Sequence, residues 1–255
     1  MLKRTGFNEN IIPTPAYPKH MKDKVAIVTG ASAGIGAAIS KQLDQEGCKL
    51  VLCARKQLNV IKNDLSDAIA IPTDVRREEQ VKDMINTAME HYGRIDILVN
   101  NAGIIRYGDM ENYSTEDYKA VMETNVDGTF YTTREALPHI KRSQGNIVFI
   151  GSFDSDHPRS FNPIYAASKW WVKGFAHSIE AVYGKQISVS LINPSEVRTD
   201  IPDEDGVPYK NRYKEGEMLE PEEVADAVIF ALKRSKNATV SQLNLFRRDK
   251  LTEFF

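Results

Sequence analysis

Seven short apolar runs, separated by longer stretches with helical periodicity, constrain the fold of this chain more than any other feature. The runs are Val25–Thr29, Lys49–Ala54, Ala68–Pro72, Ile95–Asn100, Asn146–Ile150, Ser188–Ile192 and Thr239–Leu245. Near-continuous apolar strands are typical of parallel sheets whose two faces are both covered by helices. The pattern therefore predicts an α/β fold with one doubly wound, seven-stranded parallel sheet.

Local signals mark the ends of several helices. Apolar residues recur at helical spacing before Gly93, which is placed to stop that helix: Val81, Met84, Ile85, Ala88 and Met89. Ser114-Thr115-Glu116-Asp117 is a capping signal before a long helix, and Pro221 stands where a first helical residue would. The link 55–68 leaves room for only a short helix, whereas the polar stretch 195–220 is typical of a functional lid.

The size and the ends of the chain predict one domain. The 255 residues suit a single α/β domain over 22–255, preceded by an N-terminal extension over 1–21 that contains three prolines. The extension has no apolar core of the kind found in a signal peptide, and no apolar stretch approaches the roughly 20 residues of a membrane span. We expect a cytoplasmic protein without a membrane partner.

Charge and reactive side chains exclude several other classes of protein. The 33 basic and 35 acidic residues give a net charge of -2, so nothing favours a nucleic-acid partner. Two cysteines, Cys48 and Cys53, predict no disulfide framework and fit a reducing compartment. No paired spacing links them to the histidines, so we predict no metal site; the histidines are His20, His91, His139, His157 and His177.

A glycine-rich turn follows the first apolar run. The chain reads Thr29-Gly30-Ala31-Ser32-Ala33-Gly34-Ile35-Gly36 and then enters a helix, whose free N–H groups and positive dipole end suit phosphates. A glycine-rich connection without a ligand is the alternative, but the strand before and the helix after favour a dinucleotide and hence a Rossmann fold. The candidate contacts are Gly30, Ser32, Ala33, Gly34, Ile35 and Gly36.

Further motifs follow along the chain, and together they resemble those of the short-chain dehydrogenase/reductase family over residues 22 to 245. They are Asp74 after the third run, Asn100-Asn101-Ala102-Gly103 after the fourth and Tyr165-Ala166-Ala167-Ser168-Lys169 after the fifth. Asn193-Pro194-Ser195-Glu196-Val197-Arg198-Thr199 follows the sixth, with Ser195 where the family usually has glycine. The resemblance implies further cofactor contacts at Asp74, Val75, Asn101, Ala102, Gly103, Tyr165, Lys169, Pro194, Val197 and Thr199.

The resemblance also implies a catalytic group of four residues. Hydride transfer to a carbonyl leaves charge on oxygen, which requires a proton donor and stabilising donors nearby. Tyr165 would be the general acid/base, and Lys169, at i+4 on the same helical face, would lower the tyrosine pKa from about 10. Ser152 would bind the substrate oxygen, and Asn125 would hold a water that links Lys169 to solvent. Alone, Tyr-x-x-x-Lys is a common pattern on helix surfaces.

The end of the second run bears on the choice of cofactor. The chain reads Cys53-Ala54-Arg55-Lys56, without the acid that normally binds the ribose hydroxyls of NAD. Two cations in its place favour NADP(H), with Arg55 on the 2′-phosphate, over NAD(H). Ala33 argues the other way, because that position is often basic in family members that use NADP.

Substrate and assembly are less constrained by the sequence. The segment 153–162 is polar and fits a small hydroxy acid, semialdehyde or sugar-like substrate, with Arg159 as a candidate carboxylate partner; alternatively, its charges face solvent or a subunit contact. A 3-oxoacyl carrier-protein reductase would need a basic patch such as Arg134, Lys141 and Arg142. A non-catalytic NADP(H) sensor or scaffold would be expected to lack Ser152, Tyr165 or Lys169.

The resemblance also implies a homodimer or homotetramer, assembled through helices around 114–142 and 163–184. Trp170, Trp171 and Phe175 are candidates for that contact or for the core.

Overall fold

The computed structural model describes residues 21–56, 58–159, 161–203 and 205–253, and it assembles the predicted runs into one sheet. The predicted extension over 1–21 lies outside the described residues except for Met21, which is buried in the core. The strands are β1 (Val25–Thr29), β2 (Lys49–Ala54), β3 (Ala68–Pro72), β4 (Ile97–Asn100), β5 (Asn146–Ile150), β6 (Ser188–Pro194) and β7 (Gln242–Leu245).

Helices connect the strands. They are α1 (Gly34–Gln45), α2 (Leu58–Lys62), α3 (Glu78–Tyr92), α4 (Thr115–Met122), α5 (Gly128–Ser143), α6 (Pro163–Tyr183), α7 (Tyr209–Arg212) and α8 (Pro221–Leu232). A π-helical turn, Glu123–Asp127, joins α4 to α5, so the predicted long helix after Ser114 is interrupted at this turn.

All strands pair in parallel, in the order β3-β2-β1-β4-β5-β6-β7. This confirms the predicted doubly wound, seven-stranded Rossmann sheet. The order reverses direction between β1 and β4, and crevices at such a switch point are where open α/β sheets bind ligands.

Alternate residues of the central strands enter two separate cores. Ala26 and Val28 of β1 pack with α1 and α8, whereas Val25 and Ile27 face α3, α5 and α6. Because β1 is buried along its whole length, its sequence is apolar on both faces. The two cores thus cover both faces of the sheet.

Most of the predicted helix ends are confirmed. Gly93 ends α3 in the left-handed conformation (φ 74°), where a residue without Cβ is favoured. The Ser114 hydroxyl accepts a hydrogen bond from the Asp117 amide at 3.0 Å, and Pro221 is the first residue of α8. The short helix α2 also lies where the sequence predicted one.

Three strand ends were predicted wrongly. β4 begins at Ile97 rather than Ile95, and just before it the Asp96 carboxylate accepts the Val25 amide at 3.0 Å. β7 begins at Gln242 rather than Thr239. The hydroxyl of Thr239 donates a hydrogen bond to the Val189 carbonyl of β6 at 3.1 Å. β6 continues past Ile192 to Pro194 because β7 pairs with those added residues.

Within the described ranges, no helix combines the length and the apolar character needed to cross a membrane.

Candidate active site

A cavity of about 800 Å³ opens at the carboxyl ends of the strands, across the switch point. Nearly all residues predicted for the site line it: Gly30, Ser32, Ala33, Gly34, Ile35, Arg55, Asp74, Val75, Asn101, Ala102, Gly103, Ser152, Tyr165, Lys169, Pro194, Val197 and Thr199. The exceptions are Gly36 and Asn125, which support the wall from behind.

The turn from β1 into α1 forms a cradle for phosphate. Ala33, at the helix N-cap, provides no side-chain hydrogen bond, and no acid lies in the first turn of α1. The amides at the start of α1 therefore keep their donor capacity toward the cavity, which Gly34 and Ile35 line. Gly34 has φ 54°, and a Cβ there would lie 3.1 Å from Thr199 Cγ2. These residues fit the pyrophosphate of a dinucleotide.

Gly36 allows the start of α1 to approach the end of β1 closely. A Cβ on Gly36 would lie 2.3 Å from the Gly30 carbonyl oxygen and 2.6 Å from Asn101 Nδ2. Asn101 Nδ2 donates to the Thr29 carbonyl at 2.8 Å, which ties the end of β4 to the end of β1. A glycine is needed here because the start of α1 lies too close to the Gly30 carbonyl and the Asn101 amide to leave room for a Cβ.

The far end of the cavity carries exposed cations. Arg55 and Lys56 line it, and across the described ranges neither forms an ion pair with an acid. The Asp74 carboxylate accepts hydrogen bonds from the Arg76 guanidinium at 2.6 and 3.0 Å, and its implied contact with the cofactor stays a prediction. Those bonds lower the pKa of Asp74. This end therefore offers two unneutralised cations and one neutralised acid.

The reacting end lies where β5 ends and α6 begins. Ser152 donates a hydrogen bond to the Tyr165 hydroxyl, and the Lys169 Nζ atom lies 5.7 Å from the centre of the Tyr165 ring. Lys169 is buried, and its Nζ donates to the Ile150 carbonyl at 2.9 Å. The helix thus presents Tyr165 and Lys169 on one face, next to the serine that follows β5.

The pKa values of Tyr165 and Lys169 are shifted mainly by burial. Burial raises the pKa of Tyr165, and the charge of Asp154 raises it further, while the Ser152 hydrogen bond lowers it. Burial lowers the pKa of Lys169 to about 8, against the opposing effect of Asp154. Desolvation is the largest influence on both groups, and the expected lowering of the tyrosine pKa by Lys169 stays a prediction.

The buried ammonium of Lys169 lowers the free energy of unfolding of the protein. Its folded-state pKa of about 8 lies below the ordinary 10.5, so the unfolded chain binds more protons between these pH values. The free energy of unfolding should therefore rise with pH across that window, and below it the group costs on the order of 3 kcal/mol.

We expect Lys169→Met to raise the free energy of unfolding at pH 7 by about 1–3 kcal/mol, since the methionine fills the space without charge. The gain should shrink as the pH rises toward 10.5. Thermal unfolding of both proteins in a pH series measures this, and a loss of stability that is equal at every pH would contradict it.

Asn125 lies in the π-helical turn and fixes the loop after β4. Its Oδ1 accepts from the Ile104 amide at 2.9 Å, and its Nδ2 donates to the Ile104 carbonyl and to Ser168 Oγ, both at 3.0 Å. A Cβ on Gly103 would lie 3.4 Å from Asn125 Oδ1 and 3.6 Å from Lys169 Nζ, so this glycine borders both groups. That Asn125 holds a water for Lys169 stays a prediction.

Ser195, the departure from the family pattern, anchors the start of the lid. Its amide donates to the Leu245 carbonyl at 2.8 Å, and its hydroxyl accepts from the Arg247 amide at 3.0 Å. The serine therefore ties the lid to the segment after β7. In the described part of the lid, the regular elements are the short helix α7 and two isolated bridges.

The sequence argument missed several cavity residues. Tyr107, after the Asn-Ala-Gly turn, donates a hydrogen bond to the Tyr209 hydroxyl of the lid, and Glu196 also lines the cavity. No spacing rule relates Tyr107 to Tyr209, because only the folded lid brings them together. Trp171 and Phe175, predicted for a subunit contact or the core, pack against the core, whereas Trp170 is 50% exposed.

No set of three or more His, Cys, Asp or Glu side chains within the described ranges is arranged to hold a metal ion.

Comparison with known proteins places the chain in a family. The model of the short chain dehydrogenase family matches residues 24–207. An uncharacterized oxidoreductase of Staphylococcus epidermidis is 33% identical over 230 residues, which cover 88% of this chain and 97% of that protein.

Two solved structures resemble this one closely. An alcohol dehydrogenase from the archaeon Thermococcus sibiricus, complexed with 5-hydroxy-NADP, superposes with a TM-score of 0.81 at 28% identity, covering 88% of this chain and 97% of the other. A 3-ketoacyl-(acyl-carrier-protein) reductase from Brucella melitensis, complexed with NADH, gives 0.81 at 26% identity, with 89% and 98% covered. The chain therefore belongs to the short-chain dehydrogenase/reductase family of oxidoreductases.

Proposed function

We propose that the protein is an NADP(H)-dependent enzyme that interconverts a carbonyl and an alcohol on a small substrate, with Tyr165 as the general acid/base. One observation carries the proposal: Ser152, Tyr165 and Lys169 lie together in the cavity that also contains the phosphate cradle. The nicotinamide of the bound cofactor would supply or accept the hydride.

The side chains supply the rest of the chemistry. Ser152, already hydrogen-bonded to Tyr165, would donate to the substrate oxygen and hold it against the tyrosine. In reduction, the Tyr165 hydroxyl gives its proton to that oxygen; in oxidation, the phenolate takes the proton back. The raised pKa of Tyr165 favours the protonated phenol, which is the form that donates in the reductive direction. Lys169, fixed by Ile150, then balances the phenolate charge.

Absorbance of NADPH and of NADH against small aldehydes, ketones and oxo acids tests this function. We expect turnover with NADPH. Turnover with NADH alone would overturn the cofactor proposal and leave the chemistry in place. Binding of NADPH without any turnover across the panel would instead favour the sensor or scaffold alternative.

The cofactor preference is expected to depend on Arg55. Arg55→Ala should raise the KM for NADPH about 10- to 100-fold and leave that for NADH nearly unchanged, because it removes a charged partner of the 2′-phosphate. Initial rates with both cofactors measure the ratio. Arg94→Ala, far from the cavity and paired with Asp96, is the control. An equal change for both cofactors would contradict the assignment of Arg55.

A reductase of carrier-bound 3-oxoacyl chains is the second candidate, because one similar structure is described as such an enzyme. Such an enzyme would need a basic patch that includes Arg134. The charge of Arg134 is offset, because it pairs with Glu78 at 2.8 Å and with Glu135 at 2.7 Å. Rates with free and carrier-bound substrate separate the two candidates. A cytoplasmic location and a homodimer or homotetramer stay predictions.

A further inference from the structure

The substrate end of the cavity holds an arginine whose position is fixed before any substrate arrives. Arg159 Nε donates to the Asp154 carboxylate at 2.6 Å, and the guanidinium carbon lies 4.6 Å from the centre of the Phe153 ring and 5.6 Å from that of Phe161. Arginine side chains are normally flexible, and ordering one costs free energy. Here the ion pair and the two rings have already ordered it.

The ion pair with Asp154 and the two aromatic rings leave the terminal Nη atoms of Arg159 available. Asp154 is bonded through Nε, and among the described residues neither Nη atom has a hydrogen-bond partner. The side chain is only 23% exposed, so a charge-assisted bond formed here is less screened by water than one at the surface. Two adjacent N–H donors on a fixed, planar group match the two oxygens of a carboxylate.

The pair is close to the reacting atoms. The Asp154 amide donates to Ser152 Oγ at 3.1 Å, so the residue that holds Arg159 is also bonded to the serine proposed to bind the substrate oxygen. The charge of Arg159 acts on Tyr165. An anion bound at Arg159 would thus lie in the same part of the cavity as Ser152 and Tyr165.

We propose that Arg159 determines specificity by binding the carboxylate of a short oxo acid or hydroxy acid, with Asp154 as its positioning residue. The inference rests on the proposed function, since it names the substrate class of the same site. Asp154 also offsets part of the arginine charge, so recognition depends on the geometry of the two donors as well as on net charge. A lysine at 159 could supply the charge but not the paired donors.

The test compares short 2-oxo, 3-oxo and 4-oxo acids, each beside its own methyl ester, as substrates with NADPH. We expect the wild-type protein to prefer the acid by kcat/KM. Arg159→Met should lower kcat/KM for the best acid about 10- to 100-fold and change that for the ester little. Arg159→Lys should have a kcat/KM for the best acid between those of the wild-type protein and Arg159→Met. Arg134→Met is the matched control, since Arg134 is likewise ion-paired to a neighbouring acid and lies over two aromatic rings, but does not line the cavity.

Two results would overturn the inference: wild-type protein that reduces esters as well as acids, or an Arg159→Met variant that loses acid and ester activity equally. The second would mean that Arg159 only supports the wall. Failure of the proposed function looks different, because no carbonyl compound would then turn over. In that case calorimetric titration with 3-hydroxybutanoate decides: binding weakened at least about 10-fold by Arg159→Met supports the inference, and unchanged or absent binding overturns it.

Discussion

Tyr165→Phe is expected to lower kcat about 10³-fold, in either direction of the reaction, while the affinity for NADPH stays nearly unchanged. The substitution removes one hydroxyl, the group proposed to exchange a proton with the substrate oxygen. The ring stays in place above Lys169, so the cavity keeps its shape. Steady-state rates and a fluorescence titration with NADPH measure the two quantities separately.

The matched control is Tyr92→Phe. Tyr92 lies in α3, away from the cavity, and its hydroxyl donates to Asp67 at 2.9 Å. The control therefore removes a hydrogen-bonded tyrosine hydroxyl without touching the site, and it should keep full activity. A Tyr165→Phe protein that retains a tenth of the wild-type rate would contradict the role given to Tyr165.

The parts of this structure that follow from local rules were predictable from the sequence. Strand β1 is buried on both faces, so its run of apolar residues carries the signal directly. Gly30 and Gly34 have positive φ at the turn, where glycine is favoured, and the spacing of such residues is visible in the chain. Strand ends were less predictable, because at Asp96 and Thr239 the side chains also bond to the backbone of a neighbouring strand, which the apolar pattern does not record.

The substrate end could be predicted only in part. The sequence indicated a polar segment and singled out Arg159, but which acid pairs with it depends on the turn after β5. The contact between Tyr107 and Tyr209 joins residues far apart in the chain and needs the folded lid. The pKa of Tyr165 depends on how much water the fold removes around it, which no motif records.

Gly36→Ala is expected to lower the free energy of unfolding by about 3 kcal/mol and to weaken NADPH binding at least about 100-fold. The added Cβ would lie 2.3 Å from the Gly30 carbonyl oxygen, which belongs to the backbone and cannot rotate away. It would also press on Asn101 Nδ2 and strain its bond to the Thr29 carbonyl. The start of α1 must then shift, which would move the amides that are proposed to bind the cofactor phosphates.

Gly174→Ala separates this effect from the general consequences of replacing a glycine. Gly174 lies in the middle of α6, and a Cβ there would meet no atom within 4 Å. Because alanine is the better helix former, this variant should gain about 0.5–1 kcal/mol. Thermal unfolding and NADPH titration of both variants provide the comparison. If Gly36→Ala bound NADPH as well as Gly174→Ala does, the close approach of α1 to β1 would not be what shapes the cradle, and the cofactor assignment of the glycine turn would have to be abandoned.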